Sequence, residues 1–431
     1  MQFNTFLAVF AGVCVSAGAV MAGDAPLWAG PVVGAVTSTS ADFVLVLGET
    51  GVAVRVTLLT GEGAVSQEAV SPAYVPGAVR LRFDGLAPAT GYHYSVALDG
   101  KTLPGAAGRF RTFPVEGLAA SFTFAFGNCK AHDRPEISGL IGAAQCDPLF
   151  FLDAGDLFYA DIATNDAAVF RAAYTKSLGG LTPAPLLSKT PLVYIWDDHD
   201  YGPNDGDRTA PGRAASRQVY QEMIPHYPLV AGHGDVPIYQ AFSVGRVRFI
   251  LTDLRSERAP PTEPEETRSM MGVAQLDWFK RELAGSAATH GLVVWVSSVP
   301  WTGQPGAPSS DSWMSYTNER QVVADWVKTN GIDNLLIIAG DAHSAAADDG
   351  SHGDYATGGG APIPTFIAAP LDNEKKSYKG GPYSHGMYLP GVGEGMYGLA
   401  TVTDNGGPIT IHLSARNQRQ EEKVHMDFTT P

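Results

Sequence analysis

The sequence predicts an α/β protein of layered sheets preceded by a smaller all-β sandwich. Three observations carry this expectation. Four apolar runs, FTFAFGNC, LFFLDAGDLFY, PLVYIWDDHD and NLLIIAGDAH, read as strands buried on both faces, and each ends in polar side chains that bind metals. From Ser121 onward such runs alternate with helical patterns, which is the signature of α/β layers. Residues 24–114 instead string short β-rich runs between turns, at the spacing of a sandwich.

Taken in chain order, Phe6 to Val20 is an apolar core too short to span a bilayer, and it is followed by Val20-Met21-Ala22. Small residues at those places read as a signal-peptidase site, so 1–22 is expected to be a signal peptide, although its first residues, MQFN, carry no Lys or Arg. Cys14 fits a lipobox poorly. No later stretch is apolar enough for a membrane helix, and export to the periplasm or medium is expected. The runs ADFVLVLGE, VAVRVTLLT, AVRLRFDG, YHYSVAL and GRFRTF then form the first domain, 23–114. Its segment Gly85-Leu86-Ala87-Pro88-Ala89-Thr90-Gly91-Tyr92-His93-Tyr94 resembles the corner of a fibronectin type III module, which implies a structural partner for the larger domain.

The second domain, 115–431, is expected to hold all the chemistry. Helices are expected at 136–144, 214–223, 273–283 and 317–329, with Leu276, Phe279 and Leu283 forming a core-facing stripe. Further strands are expected at 239–244, 248–253, 292–297, 335–339, 365–368 and 398–402. Formal charge is −15, which excludes a nucleic-acid or anionic-membrane surface and favours solubility. With Cys14 removed, Cys129 and Cys146 remain. A disulfide between them is the plain alternative in an oxidising compartment. Cys129 is read instead as a ligand at a strand end and Cys146 as a buried thiol.

Carboxylate, thiolate, phenolate and imidazole converging from four strand ends make a cage that a cation neutralises at least desolvation cost. In GDLFYAD the glycine allows a sharp turn that leaves Asp156 at the tip, with Tyr159 able to face the same side; a helix cap and a core aromatic are the plain alternatives. WDDHDYGPND crowds acidic and amide oxygens around His199 directly after a strand, which a merely solvated turn seldom does. GDAHS repeats the Gly-Asp geometry, and alternation in an extended segment would put Asp341 and His343 on one side. No G-x-S-x-G is present, Ser309 and Ser310 lie in a Pro/Gly loop, and Gly358–Gly360 reads as a loop, so serine-nucleophile hydrolysis has little support.

Together GNC, GDLFYAD, WDDHDYGPND, LTDLRSER, MMGVAQLDWFKREL and IIAGDAHS, in this order after a fibronectin-like unit, resemble the PhoD-like alkaline phosphatase/phosphodiesterase family of calcineurin-like metallophosphoesterases. The resemblance implies a two-sheet β-sandwich core flanked by helices, with metals at the strand ends. It implies that Cys129 and Tyr159 ligate Fe(III), that Asp156 bridges two cations, and that Asp198 binds the second. It further implies that Asp341 and His343 stand for the two histidines of the superfamily's G-H-x-H, and that Asn204 coordinates or holds the second metal. His199 takes the place that contacts the phosphate or leaving group, as a proton donor. Arg255 in LTDLRSER is expected as a phosphate clamp, with a structural salt bridge to Asp253 or Asp200 as the equal alternative. Where the superfamily has a histidine before a proline, this chain has Ser297-Ser298-Val299-Pro300. The second site is therefore oxygen-rich and suits Ca2+, or Mg2+ or Mn2+, better than zinc. The family's usual twin-arginine leader is missing. The expected activity is hydrolysis of small phosphate esters by metal-activated water, monoester or diester. A phospholipase-D-like phosphodiesterase is one alternative, and a non-catalytic metal-binding or adhesion protein another.

Overall fold

The apolar runs pair into two large sheets that face each other. The computed structural model describes residues 27–48, 51–61, 65–71, 78–304, 311–374 and 380–431. The expected signal peptide with Cys14, and Ser309 and Ser310, lie outside them. The first sheet has nine strands in the order Glu422–Thr429, Thr410–Asn417, Met396–Thr403, Phe122–Gly127, Phe151–Asp153, Leu192–Tyr194, Leu27–Gly34, Ser40–Leu47 and Val79–Asp84. Its centre is parallel: Phe122–Gly127, Phe151–Asp153 and Leu192–Tyr194 run the same way, so GNC, GDLFY and WDDHD emerge at one edge. The second sheet has seven strands, Gln240–Val244, Val247–Leu251, Leu292–Ser297, Leu335–Ala339, Thr365–Ala368, Ala345–Asp348 and Met387–Tyr388. Four of these, from Val247–Leu251 to Thr365–Ala368, are parallel neighbours and end in LTDLRS, SSVP, GDAHS and APLD.

Successive residues of the second sheet serve opposite layers, as pleating requires. Phe249, Val294, Val296 and Ile338 face the first sheet. Ile250, Val293, Trp295 and Ile337 face a separate core with Phe279 and Leu283 of helix Gly272–Thr289 and Val323 of helix Thr317–Thr329. Between the sheets Phe249 meets Phe124, Phe150 and Phe242 at ring-centroid distances of 5.3, 5.3 and 4.8 Å. Truncating so fully packed a ring typically costs about 3–5 kcal/mol. Both faces of these strands are thus apolar, which is why they read as unbroken runs.

Residues ahead of Ser121 contribute to two sheets. Leu27–Gly34, Ser40–Leu47 and Val79–Asp84 extend the nine-stranded sheet through one parallel pairing, Gly34 with Leu192. Val65–Val70, Val54–Leu59, Gly91–Leu98 and Lys101–Arg111 form a four-stranded sheet of their own. Phe43 of the former set contacts Tyr94 and Phe110 of the latter at 5.2 and 5.8 Å.

Several element bounds differ from expectation. The helix expected at 136–144 is Gly139–Ala144, because Ser138 caps it by accepting the Leu140 amide. The helix expected at 273–283 runs on to Thr289: Gly285 is tolerated, and the buried stripe continues through Ser286. Helix Ala167–Leu178, the Ala-rich strand Ala345–Asp348 and the terminal hairpin were not expected at all.

Candidate functional site

The strand tips of both sheets deliver their side chains to one buried cage. Cys129, Asp156, Asp197 and Asp198 come from the first sheet, and Arg255, Ser298, Asp341 and His343 from the second; none exceeds 8 % exposure. Tight backbone makes this convergence possible. Cys129, Asp156, Asp341 and His343 have φ of 61°, 58°, 60° and 49°, a left-handed conformation that costs non-glycine residues energy and clusters at functional sites. Asp341 and His343 therefore share a side through bends, not through the strand alternation expected of them. Gly155, at φ 113°, lies so close to the next tip that a Cβ there would sit 2.5 Å from Asp197 Cβ. At Gly340 a Cβ would sit 2.6 Å from the Ser298 carbonyl and 2.8 Å from that of Ala154. The two Gly-Asp steps are steric requirements of bringing two sheets together at their ends.

Within the cage the Tyr159 hydroxyl donates to Asp156 Oδ2 at 2.8 Å and lies 3.0 Å from His343 Nε2. Cys129 Sγ is 3.5 Å from Asp156 Oδ2 and 2.9 Å from Asn128 Oδ1. Four sets of side chains bring one potential ligand atom each within 4.8 Å of one another: Cys129, Asp156 and His343; Asp156, Asp198 and His199; Asp156, Asp197 and Asp341; and Asp197, Asp198 and Asp311. Asp156 belongs to three of them, the position a bridging carboxylate must hold. Asp156 Oδ1 and Asp197 Oδ2 are buried and have no hydrogen-bond partner among the described residues. Buried carboxylate oxygens left so are costly unless a cation meets them.

The electrostatics agree. Burial first, then the Asp198, Asp197, Asp200 and Asp341 charges, hold the Asp156 carboxyl well above the usual range. Burial, then Asp156 and Asp341, push the Cys129 thiol up, and burial, then Asp156 and Cys129, push up the Tyr159 phenol. Burial raises Asp197 to about 7, opposed by Arg255. A site that crowds this many acids resists ionising them alone, and bound cations invert that preference. Sulfur, phenol and imidazole at one end and carboxylates at the other fit two unlike cations.

The sequence-predicted residues fall into three groups. Cys129, Asp156, Tyr159, Asp198, Asp341, His343 and His199 are together. Asn204 is exposed on the following turn, where the neighbouring Asp205 amide donates to Asp198 Oδ2 at 2.6 Å. Arg255 corrects the expectation of an open clamp: it is fully buried and already committed. Its Nε donates to Asp197 at 2.6 Å, and its two terminal nitrogens donate to both Asp311 oxygens at 2.7 and 2.8 Å. The salt-bridge alternative holds with partners other than Asp253 or Asp200, and it fills the fourth acidic set with a guanidinium. Cys146 is partly buried, not buried, and both cysteines are free, with the Cys146 thiol 3.3 Å from the Tyr397 hydroxyl.

Sequence reasoning gave no role to Asp197, Asp161, Asn128 or Asp311, and noted Ser298 only as part of the segment that lacks a histidine. Asp161 Oδ1 lies 2.6 Å from His199 Nδ1, while the Tyr159 ring packs 4.0 Å from the imidazole. Ser298, in the segment where the superfamily has a histidine, donates to Asp197 at 2.7 Å. Asp197 is the first acid after its strand and Asp161 closes GDLFYAD, so position within the motif was the available signal. Asp311 had none.

A family model described as PhoD-like phosphatase matches residues 124–386. Alkaline phosphatase D of Bacillus subtilis (strain 168) is 24 % identical over 320 residues, covering 63 % of this chain and 54 % of that protein. The chain thus spans about half the length of this curated relative. Among solved structures, one described as PhoD superposes with a TM-score of 0.75 at 18 % identity, over 93 % of this chain and 89 % of the other. A purple acid phosphatase, PPD1 from yellow lupin (Lupinus luteus) seeds, superposes with a TM-score of 0.62 at 11 % identity, over 93 % and 74 %. Both likenesses are of fold.

Proposed function

Since the match over residues 124–386 takes in more than half of its length, the chain belongs to the PhoD-like phosphatase family, and from that premise we propose that it is an exported, metal-dependent hydrolase of small phosphate esters. The observation that carries the reading is the pair of partnerless carboxylate oxygens, on Asp156 and Asp197, inside a buried cage of thiol, phenol and imidazole. In this reading Cys129, Tyr159 and His343 would hold Fe(III), and Asp197, Asp198 and Asp341 would hold Ca2+, Mg2+ or Mn2+, with Asp156 placed between the two sets and Asn204 at the rim. When bound, such cations lower the pKa of water and neutralise charge on the phosphate.

The chain's own groups supply the rest. His199 sits beside the carboxylates with Nδ1 occupied by Asp161, which leaves Nε2 to donate a proton to the leaving oxygen. Asp161 accepts from Nδ1 and so orients the ring, and the Tyr159 ring fixes its plane. Arg255 acts as a positioning residue: by bracing Asp197 and Asp311 it keeps one carboxylate of the cage oriented. Residues 23–114 are read as a fibronectin type III-like unit beside a catalytic domain of 115–431. Support comes from its two-sheet packing and from the Tyr92 hydroxyl, which accepts the Ala87 amide at 2.9 Å in the manner of a tyrosine corner.

The test is elemental analysis of the purified protein beside hydrolysis of aryl phosphate mono- and diesters. Iron plus an oxygen-preferring divalent ion, activity abolished by chelation, and a visible band lost in Tyr159→Phe are expected. A colourless, fully active preparation without iron would overturn the Fe(III) assignment. Activity that survives complete removal of metals would overturn the reaction class. The mono- to diester ratio sets the substrate class.

A further inference from the structure

The terminal hairpin carries a second group of metal-binding side chains, on the outer face of the nine-stranded sheet and outside the cage. His412 stands opposite Asp427 in the register of Thr410–Asn417 with Glu422–Thr429, and His425 stands opposite Ser414, so the two histidines are diagonal neighbours. Strand alternation directs both imidazoles to solvent, while Leu413, Val424 and Met426 fill the core. Their ring centroids are 6.2 Å apart and their planes are inclined by 30°. Glu422 would not share that face in a regular ladder. A register shift at Ala415/Arg416 adds one residue to the outer strand and places Glu422 opposite Arg416. Bulges re-aim side chains in this way. Lys423, the extra residue, turns towards Glu394 and the Tyr388 ring.

The hydrogen bonds prepare the imidazoles as ligands. His412 Nδ1 is 2.7 Å from Asp427 Oδ1, the carboxylate–histidine arrangement that fixes a metal-binding tautomer and leaves Nε2 free. His412 Nε2 is 4.0 Å from Glu422 Oε2, and His425 Nδ1 is 3.1 Å from Glu422 Oε1. Arg416, 3.4 Å from Glu422 Oε2, is the competing cation. The ligand atoms do not converge, but the side chains of His412, His425, Glu422 and Asp427 are 36–66 % exposed on one strand pair, where rotation about their side-chain bonds can bring them together. We propose that His412, His425 and Glu422, with Asp427 behind His412, form a surface site for a divalent transition cation of the Cu2+ or Zn2+ class. Two imidazoles and a carboxylate select such ions over Ca2+ or Mg2+.

The test is Cu2+ titration of the metal-loaded protein, followed by electron paramagnetic resonance and by calorimetry, with phosphate-ester hydrolysis measured in parallel. One copper per chain beyond the resident metals is expected, with hyperfine splitting from two nitrogens. His412→Ala and His425→Ala should each weaken binding at least tenfold, and Asp427→Asn by about ten- to a hundredfold, the usual loss when a carboxylate behind a histidine ligand is removed. Hydrolysis and melting temperature should be unchanged in all three variants. The site is refuted if the additional copper survives in the double variant His412→Ala/His425→Ala, if its spectrum shows one nitrogen or none, or if no additional copper binds. Because this readout is independent of hydrolysis, it fails or succeeds separately from the phosphatase reading.

Discussion

His199 and Arg255 are both polar side chains at the cage, and their surroundings assign them different work. His199 is held from one nitrogen by the exposed Asp161 at 2.6 Å, so the other can meet a substrate. General acids contribute about 10²–10⁴-fold, so His199→Ala should lower turnover by that order and keep its metals. The loss should shrink for esters with acidic leaving groups, which need little protonation; equal slowing of good and poor leaving groups would reject the proton-donor role. Asp161→Asn, which can still accept from Nδ1, should lose less than Asp161→Ala. Arg255 has no such freedom. Arg255→Met strips the buried Asp197 of its guanidinium partner and leaves Asp311 to Arg258, and breaking a buried pair from one side costs about 3–5 kcal/mol. A melting temperature well below wild type is expected; an unchanged one with only KM raised would restore the clamp role.

At the scale of elements, the joint between the first seven strands and the rest turns on one histidine. Arg80 of Val79–Asp84 reaches His226, on the loop after helix Arg213–Met223, with Nη1 donating to Nε2 at 3.1 Å. Nδ1 donates to the Tyr227 carbonyl at 2.8 Å, so the ring is neutral. Burial first, and then the Arg80 charge, lowers its pKa from 6.5 to about 4. The unfolded chain therefore binds the extra proton first, and stability contributed by the neutral ring is complete above pH 6.5 and lost as pH falls towards 4. The shift is worth on the order of 3 kcal/mol. Denaturant unfolding between those two pH values should show this slope in the wild type and a shallower one in His226→Gln. Equal slopes would exclude the histidine as the cause.

For the whole molecule, the cage sits where both sheets end, so its charge balance bears on how they are held together. Asp156, Asp197, Asp198 and Asp341 are all buried, and chelation would leave them facing one another. A ligand that binds only the folded state stabilises by RT ln(1 + [L]/Kd), about 2.7 kcal/mol at a hundredfold excess over Kd. The melting temperature should fall on chelation and recover on reloading. A melting temperature indifferent to metal would mean that the acids are kept apart by Arg255 and by protonation alone.

The strands and their tips are legible in the chain without any partner. An apolar run followed by Gly-Asp or Asp-Asp-His is a local pattern, and a strand buried on both faces has no other way to read; 292–297, 335–339 and 365–368 fall where the pattern puts them. The same pattern singles out Cys129, Asp156, Tyr159, Asp198, His199, Asp341 and His343, since each closes such a run. Which neighbour each tip meets is settled only by folding. Asp197 is a cage member because Gly155 and Ser298 approach it from two other strands. Arg255 is a brace because Asp311, 56 residues on, takes both its terminal nitrogens. His199 is oriented by Asp161, 38 residues away. Glu422 reaches the histidine face only through a bulge that the strand pattern conceals. Periodicity reports which way a side chain leaves its own backbone; pairings across tens of residues are set by sheet register and close backbone approach, and these exist only once the chain has folded.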